Sequence, residues 1–220
     1  MIGASAAAAV ATLTQSTWRP LPSPAGSLRA GHAHMPIAPA TEPRLAALDP
    51  ALLKRALAAL DRHGAQVGHR DRIAIVDFSA PSSQARLHLL NVAEGRATRF
   101  LVAHGSGSDP HHTGFLQSFS NTVDSNASSE GAFVTADYYE GKHGRSQRLL
   151  GLDQTNCNAL ARAIVVHGAW YANADMITTH GKLGRSQGCF AVGDANLTEV
   201  FARLGQGALI YAAKPSGNRA

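Results

Sequence analysis

The scarcity of cysteine and the lack of long apolar runs in this sequence argue against several classes of protein. Its 220 residues contain only two cysteines, Cys157 and Cys189, and neither belongs to a CxxC pair, so we expect no zinc ribbon and no thioredoxin-type redox motif. No stretch approaches the roughly 20 apolar residues that a membrane-spanning helix requires. We therefore expect no integral membrane span.

Charged residues are also scarce, at 16% of the chain, while apolar residues make up 45%. This balance favours a compact globular domain over a disordered chain. The formal net charge is +5, but lysine and arginine are scattered and form no long basic run. We predict no nucleic-acid partner and interpret the charge as a solvated basic surface. Attraction to an acidic polymer is the alternative.

The first 44 residues show no hydrophobic periodicity typical of a folded element. Residues 1–13 (MIGASAAAAVATL) are similar to the apolar part of a signal peptide, although the first basic residue is Arg19. A flexible tail is the alternative. Residues 14–44 are rich in Pro, Ser, Ala and His, which is typical of a linker. We predict an exported protein in which a signal-like segment and linker (1–44) precede the folded part.

From residue 45 onward the pattern predicts one mainly β domain with a few short helices. The first helix is predicted over 45–64, because Asp49 can cap it, Pro50 suits its first turn and Gly64 suits a left-handed cap at its end. The main body is predicted over 65–214, followed by a tail at 215–220. Strands are predicted at 72–78, 87–90, 98–104, 132–135, 148–152, 164–166 and 208–213, helices at 155–163 and 194–204, and a long polar loop at 105–131.

Cys189 is the strongest candidate for a reactive group. It follows the polar, glycine-rich segment GKLGRSQG and precedes apolar residues, so it lies at a predicted junction between a loop and a strand. Gly188 would let the backbone turn tightly and aim nearby amides at one point, as in an oxyanion hole. Arg185 would favour the thiolate over the thiol. The alternative is a small core residue, a common fate of free cysteines.

A cysteine nucleophile needs a base or a cation beside it at neutral pH. The best candidate is His167, because it ends the apolar run Ile164–Val166 and is followed by Gly168. Metal chemistry is the competing hypothesis, since histidines are numerous, but no HExxH motif or comparable ligand spacing occurs. The other histidines concerned are His104, His111, His112, His143 and His180.

Several segments, taken in order, resemble one protein family. The pair His167-Gly168, followed by Ser186-Gln187-Gly188-Cys189, resembles the signature of L,D-transpeptidases of the YkuD type, which usually show His-Gly and then Ser-His-Gly-Cys. The resemblance is to the YkuD_2-type branch of murein L,D-transpeptidases and covers residues 72–213. The segments that carry it are LVAHGSGS (101–108), SFSNTVDSNASSEGAFVT (118–135), YEGKHGRSQRLLGL (139–152), ARAIVVHGAWY (161–171) and GRSQGC (184–189).

This resemblance implies a β-sandwich-like L,D-transpeptidase catalytic fold, a periplasmic location, and action on peptidoglycan stem peptides without a cofactor or metal. Cys189 would be the nucleophile and His167 its base, with the imidazole oriented by the backbone carbonyl of Gly168. The amides of Gly188 and Cys189 would bind the oxyanion. Gln187 stands where the common signature has histidine and cannot titrate, so proton transfer would fall on His167 alone.

The resemblance also implies a set of residues that shape the site or bind the stem peptide. Arg145 and Arg185 would suit the carboxylates of diaminopimelate, because a planar guanidinium matches a carboxylate. For each member a structural role is the alternative, and His104 in particular could be buried and satisfied. Cys157 is expected to be structural or incidental and not paired with Cys189. The full set is Ser186 and Gln187, which would shape the site, and Arg185, Tyr171, Trp170, Tyr138, Tyr139, His143, Arg145 and His104, which would bind substrate.

The implied reaction joins a donor and an acceptor stem through a thioester acyl-enzyme. Either 3-3 links between diaminopimelates or 1-3 links from L-Ala to diaminopimelate would be formed, and the sequence does not select one. Two alternatives are an L,D-carboxypeptidase or endopeptidase that hydrolyses the same stems, and a non-catalytic module that binds the wall. The oligomeric state is left open.

Overall fold

Nine β-strands and three α-helices make up the part of the chain that the structure describes. In this computed structural model the described residues are 41–42 and 48–215. The predicted signal-like segment, nearly all of the linker and residues 216–220 lie outside them. The strands are β1 (Thr41–Glu42), β2 (Arg72–Asp77), β3 (Leu87–Asn91), β4 (Arg96–Phe100), β5 (Gly131–Gly141), β6 (Gly144–Gly151), β7 (Val165–Gly168), β8 (Phe190–Val192) and β9 (Leu209–Ala213). The helices are α1 (Pro50–Arg62), α2 (Asp175–His180) and α3 (Asp194–Leu204).

All nine strands join in one sheet, in the order β1-β4-β3-β2-β9-β5-β6-β7-β8. The β2–β9 and β7–β8 pairs are parallel and the other neighbouring pairs are antiparallel. The predicted mainly β fold with a few short helices is thereby confirmed. No helix in the described residues has both the length and the apolar character needed to cross a bilayer.

The central strands β2 and β9 separate two hydrophobic cores, because successive side chains of a strand point to opposite faces. Ile73 and Ile75 pack in the core that includes α1, whereas Ala74 and Val76 pack in the core that includes α3. In β9 the same alternation places Leu209, Tyr211 and Ala213 with α1, and Ile210 and Ala212 with α3. Helices therefore cover both faces of the sheet near its centre.

Helix α1 has the predicted Asp49 cap, but it starts at Pro50 rather than at residue 45 and ends differently from the prediction. The Asp49 carboxylate accepts hydrogen bonds from the amides of Ala51 and Leu52, both at 2.9 Å, with Pro50 in the first turn. The prediction of a left-handed cap at Gly64 was wrong, since Gly64 is not among the residues with positive φ. The chain instead continues through further turns, in which the Gly64 amide donates to the carbonyl of Asp61.

Two predicted strands turn out to be the inner halves of a long hairpin. Strand β5 runs to Gly141 and β6 starts at Gly144, well beyond the predicted segments 132–135 and 148–152. The outer half of this hairpin is polar and largely exposed, and its register shifts between Thr135 and Tyr138. It therefore lacks the hydrophobic alternation by which a strand is recognised. The strand predicted over 98–104 ends at Phe100.

The helix predicted over 155–163 was wrong, and a short helix was missed. Residues 154–163 form consecutive turns, in which asparagine side chains compete with helical hydrogen bonds. The Asn156 side chain accepts from the Asp153 amide and donates to the Ala132 carbonyl, and Ala163 has a positive φ of 52°. Helix α2 was not predicted, because none of its residues is buried and it shows no apolar period.

Replacing Asp49 by alanine should destabilise the folded domain by about 1 kcal/mol, because two amides of α1 lose their hydrogen-bond acceptor. Asp49→Ser is the matched control, since serine also accepts from these amides, and it should restore most of the lost stability. Urea unfolding followed by circular dichroism measures both. Equal stability of the alanine and serine variants would contradict the capping role.

Candidate active site

The parallel pairing of β7 with β8 brings His167 and Cys189 to the same region of the sheet edge. Val166 lies opposite Phe190 and His167 lies opposite Ala191, and Cys189 immediately precedes β8. Since residues two apart along a strand point to the same face, the side chains of Cys189 and His167 share one face. Both side chains line the same cleft.

The Cys189 thiol is partly exposed and lies among backbone groups of the preceding segment. Its Sγ is 3.5 Å from the carbonyl oxygen of Ala163. Burial raises the pKa of this thiol, whereas the Val165 amide, Lys142 and Arg162 act in the opposite direction. The cations that favour the thiolate are therefore Lys142 and Arg162.

The guanidinium of Arg185, which was predicted to favour the thiolate, is engaged by backbone carbonyls. Its Nη1 donates to the carbonyl oxygens of Asp109 and Pro110, the latter at 3.2 Å. Arg185 is not among the groups that affect the pKa of Cys189. It lines the cleft nonetheless, which leaves its predicted contact with substrate as a proposal.

The imidazole of His167 is buried and held by the adjacent peptide group. Its Nδ1 lies 2.8 Å from the carbonyl oxygen of Gly168. Because a carbonyl can only accept, Nδ1 carries the proton, and the neutral ring has its lone pair on Nε2. Burial lowers the pKa of His167, and this outweighs the opposing effect of the Gly168 carbonyl. The ring of His143 stacks on that of His167, with centroids 4.3 Å apart.

A tight turn at residues 186–189, the reactive turn, presents Cys189 to the cleft. The buried Ser186 hydroxyl donates to the Cys189 carbonyl at 2.7 Å and accepts from the Gly188 amide at 3.1 Å. Gly188 has a φ of 109°, and a Cβ there would lie 2.7 Å from the carbonyl oxygen of Ala127. Only glycine fits this position without a backbone shift. The Gly188 amide thus has a partner already, and Gln187 is exposed at the cleft.

The cleft has a volume of about 340 Å³ and is lined by side chains from several elements. Burial raises the pKa of Tyr171 to about 12, so its hydroxyl stays neutral into the alkaline range as well. Most of the predicted site residues are in the lining: Cys189, His167, Ser186, Gln187, Arg185, Tyr171, Tyr139 and His143.

Four further residues line the cleft and were missed from the sequence: Lys142, Arg162, Ala163 and Val165. Lys142 could have been found from the turn between Gly141 and Gly144, which also carries His143. Val165 follows from strand alternation, being two residues before His167. Arg162 and Ala163 lie in the segment 161–171 that carries the family resemblance, but no pattern within it points to them.

Some residues predicted to bind substrate lie outside this cleft lining. Tyr138 packs against Phe201 and donates its hydroxyl to the Phe201 carbonyl at 3.3 Å. The Arg145 guanidinium lies over the Tyr138 ring, 4.9 Å from its centroid. Trp170 is 69% exposed and contacts Tyr171 edge-on.

His104 cannot bind substrate, because it is completely buried and both ring nitrogens are engaged, which corrects its predicted role. Its Nδ1 lies 2.7 Å from the Nη2 of Arg86, which is itself fully buried, and its Nε2 lies 3.3 Å from the Asp109 carboxylate. The backbone next to it supports the reactive turn. The His104 carbonyl accepts from the Ser186 amide at 2.9 Å, and the Ser106 amide donates to the Ser186 carbonyl at 2.8 Å.

Over residues 41–42 and 48–215, no group of three or more His, Cys, Asp or Glu side chains is placed to hold a metal ion. Cys157 and Cys189 are both free thiols. Cys157 is exposed and accepts a hydrogen bond from the Asn121 side chain at 3.2 Å. It lies in the turns that replace the predicted helix.

Fold and site together define a mainly β domain in which a histidine of β7 and a cysteine immediately before the parallel strand β8 share one cleft. The family model described as L,D-transpeptidase catalytic domain (YkuD_2) matches residues 45–213, more than half of the chain. The chain belongs to this L,D-transpeptidase catalytic domain family, and the predicted resemblance is confirmed.

Solved structures of several L,D-transpeptidases and a cell-shape protein are also similar to this chain. An L,D-transpeptidase from Mycobacterium smegmatis shares 10% identity over 65% of this chain and 58% of its own, with a TM-score of 0.40. An L,D-transpeptidase from Mycobacterium tuberculosis H37Rv shares 11% identity over 66% of this chain and 58% of its own, with a TM-score of 0.38. The helical cell shape determining protein Pgp2 from Campylobacter jejuni shares 13% identity over 75% of this chain and 57% of its own, also with a TM-score of 0.38. This chain thus spans less than two thirds of their length. No curated protein sequence matches it.

Lowering the pH from about 6.5 to 4 should destabilise the domain through two buried histidines. Burial lowers the pKa of His88 and of His104 to about 4, whereas unfolded histidine titrates near 6.5. Between these values the unfolded chain binds more protons than the folded one, so stability falls as the pH falls. We expect a loss of roughly 3 kcal/mol per histidine by pH 4.

Urea unfolding at a series of pH values measures this loss. In His104→Gln the slope of unfolding free energy against pH should be smaller than in the parent, because His88 and His167 still contribute to it but position 104 no longer does. A free energy of unfolding that is constant from pH 6.5 to 4 would contradict the prediction.

Proposed function

We propose that this protein is a cysteine-dependent L,D-transpeptidase that crosslinks the stem peptides of peptidoglycan. The observation that carries the proposal is the placement of Cys189 and His167 on one face of two parallel strands, with Nδ1 of His167 bonded to the Gly168 carbonyl at 2.8 Å. This leaves Nε2 as a base that faces the same cleft as the thiol. Membership of the L,D-transpeptidase family supports the same conclusion.

The first half-reaction forms an acyl-enzyme. His167 Nε2 takes the thiol proton, and Cys189 Sγ attacks the carbonyl carbon of a donor stem, whose oxygen becomes an oxyanion. The Cys189 amide donates a hydrogen bond to this oxyanion. The Gly188 amide, which donates to the Ser186 hydroxyl in the free enzyme, exchanges that bond for one to the oxyanion. The carbon–nitrogen bond then breaks, the leaving amine takes the proton from His167, and a thioester remains.

The second half-reaction transfers the acyl group. An amine of the acceptor stem attacks the thioester carbon while His167 takes its proton. The carbon–sulfur bond breaks, the Cys189 thiol is regenerated by the proton from His167, and a new amide joins the two stems. Gln187 cannot titrate and takes no part in proton transfer, so we assign it contact with the substrate at the exposed rim of the cleft.

The charge of the cleft suits this substrate class. Lys142, Arg162 and Arg185 are in its lining, and among the residues that the structure describes no aspartate or glutamate lines it. Stem peptides that contain diaminopimelate carry free carboxylates, which such a cleft attracts. We propose that Arg185, Tyr171, Tyr139 and His143 contact the donor or acceptor stem. Peptidoglycan as substrate in turn places the protein in the periplasm.

Replacing Cys189 by alanine should abolish product formation from purified sacculi or defined muropeptides. Replacing His167 by glutamine should reduce it by roughly 100- to 10,000-fold, because the general base is lost. The matched control is Cys157→Ala, which removes the other free thiol at an exposed position outside the cleft lining and should leave the activity unchanged.

Liquid chromatography with tandem mass spectrometry distinguishes the outcomes. Dimers formed by the parent and Cys157→Ala but not by Cys189→Ala support transpeptidation, and their fragments identify 3-3 or 1-3 links. Shortened monomers without dimers would replace the proposal by hydrolysis. If the protein binds sacculi but the parent and Cys189→Ala give identical products, the non-catalytic wall-binding module becomes the better interpretation. Intact mass after exposure to a carbapenem checks the thiol independently, since an adduct is expected only when Cys189 is present.

Replacing Gly188 by alanine should lower acyl-enzyme formation at least roughly 100-fold, because the added Cβ collides with the Ala127 carbonyl and moves the reactive turn. The matched control is Gly181→Ala. Gly181 also has a positive φ, 71°, but a Cβ there meets nothing within 4 Å. The control should lose only about 1–2 kcal/mol of stability to backbone strain. Equal rates of carbapenem acylation in the two variants would contradict this role of Gly188.

A further inference from the structure

We propose that Arg162 is a positioning residue for the Cys189 nucleophile, with two effects. Its guanidinium fixes the long loop that passes beside the reactive turn, and its positive charge favours the Cys189 thiolate. This inference rests on the proposed role of Cys189 as the nucleophile.

Arg162 holds the long loop through a fork of hydrogen bonds. Its Nη1 donates to the carbonyl of Ser120 at 2.8 Å and to the Ser129 hydroxyl, and its Nη2 donates to the carbonyl of Ala127. All of these acceptors belong to the loop between β4 and β5. One side chain therefore joins both arms of that loop to the segment that precedes β7.

The same guanidinium lies directly beside the reactive turn. A Cβ built on Gly188 would be 3.1 Å from Arg162 Nη2 and 2.7 Å from the Ala127 carbonyl to which that nitrogen donates. Arg162 and Cys189 both line the cleft. The next residue, Ala163, has a positive φ of 52° and lies with its carbonyl 3.5 Å from Cys189 Sγ.

The charge of Arg162 is not cancelled by a carboxylate. Its hydrogen-bond acceptors are two carbonyls and one hydroxyl, and within the described part of the chain no Asp or Glu forms an ion pair with it. A half-buried cation with neutral partners interacts strongly with a nearby anion. In this cleft the anion that can form is the Cys189 thiolate.

Other titratable groups also face Cys189. Lys142 approaches from the β5–β6 turn, His143 and His167 stack on one another, and Tyr139, Tyr171 and Arg185 are the remaining titratable side chains of the lining. Of these, Lys142 is exposed and well screened by solvent. Arg162 is half-buried and held by its hydrogen bonds, so its charge stays in a fixed position beside the thiol.

The test measures the pKa of the Cys189 thiol from the pH dependence of alkylation by iodoacetamide, followed by intact mass. All variants carry Cys157→Ala, so that Cys189 is the single thiol of the chain. Arg162→Gln should raise the thiol pKa by about one unit, which lowers the alkylation rate at pH 7 roughly tenfold. Arg162→Lys keeps the charge but loses the fork, so its melting temperature should fall while its thiol pKa stays near that of the parent.

The matched control is Arg185→Gln, which removes another cation of the cleft lining and should leave the thiol pKa unchanged. An unshifted pKa in Arg162→Gln, or an equal rise in Arg162→Lys, would overturn the electrostatic role. If Arg162→Gln fails to fold, a raised pKa in Arg162→Lys alone overturns it. Alkylation needs no peptidoglycan, so a shifted pKa without muropeptide products would defeat the proposed function while the electrostatic effect of Arg162 on the Cys189 thiol would stand.

Discussion

The site depends on the hydrogen-bonded pairing of β7 with β8, a short parallel pair at the edge of the sheet. Its register alone decides that Cys189 and His167 point to the same face. A slip of one residue would turn one of the two side chains away from the cleft. Val166 and Phe190, which lie opposite each other in this pair, both pack in the main core. The stability of the core therefore also maintains the register.

The reactive turn is also held by the buried segment that follows β4. The buried cluster of Arg86, His104 and Asp109 fixes the backbone that follows β4, and this backbone in turn bonds both peptide groups of Ser186. Burial lowers the pKa of Arg86 to about 9, yet Arg86 stays charged at neutral pH. Its charge is stabilised by the nearby carboxylates of Asp77 and Asp109, and carbonyls, an imidazole and the Phe78 ring surround it.

Sequence patterns predicted most of the fold and the chemical centre, for identifiable reasons. Strands β2, β3 and β9 carry buried apolar residues, and α1 carries a capping aspartate, so local signals agree with the tertiary structure. The outer hairpin and the turns at 154–163 were not predicted, because polar side chains determine them. Within the site, motif residues such as His167 were recognisable. Arg162 was not, since its role arises from carbonyls more than 30 residues away in the chain.

The third member of the proposed catalytic unit is a peptide carbonyl, that of Gly168. A carbonyl has no ionisation of its own, unlike the carboxylate that orients histidine in many hydrolases. The pH–rate profile of such a unit therefore contains only the titrations of one thiol and one imidazole. A carbonyl is also retained by every substitution at its position, so genetic variation can move this group but cannot delete it.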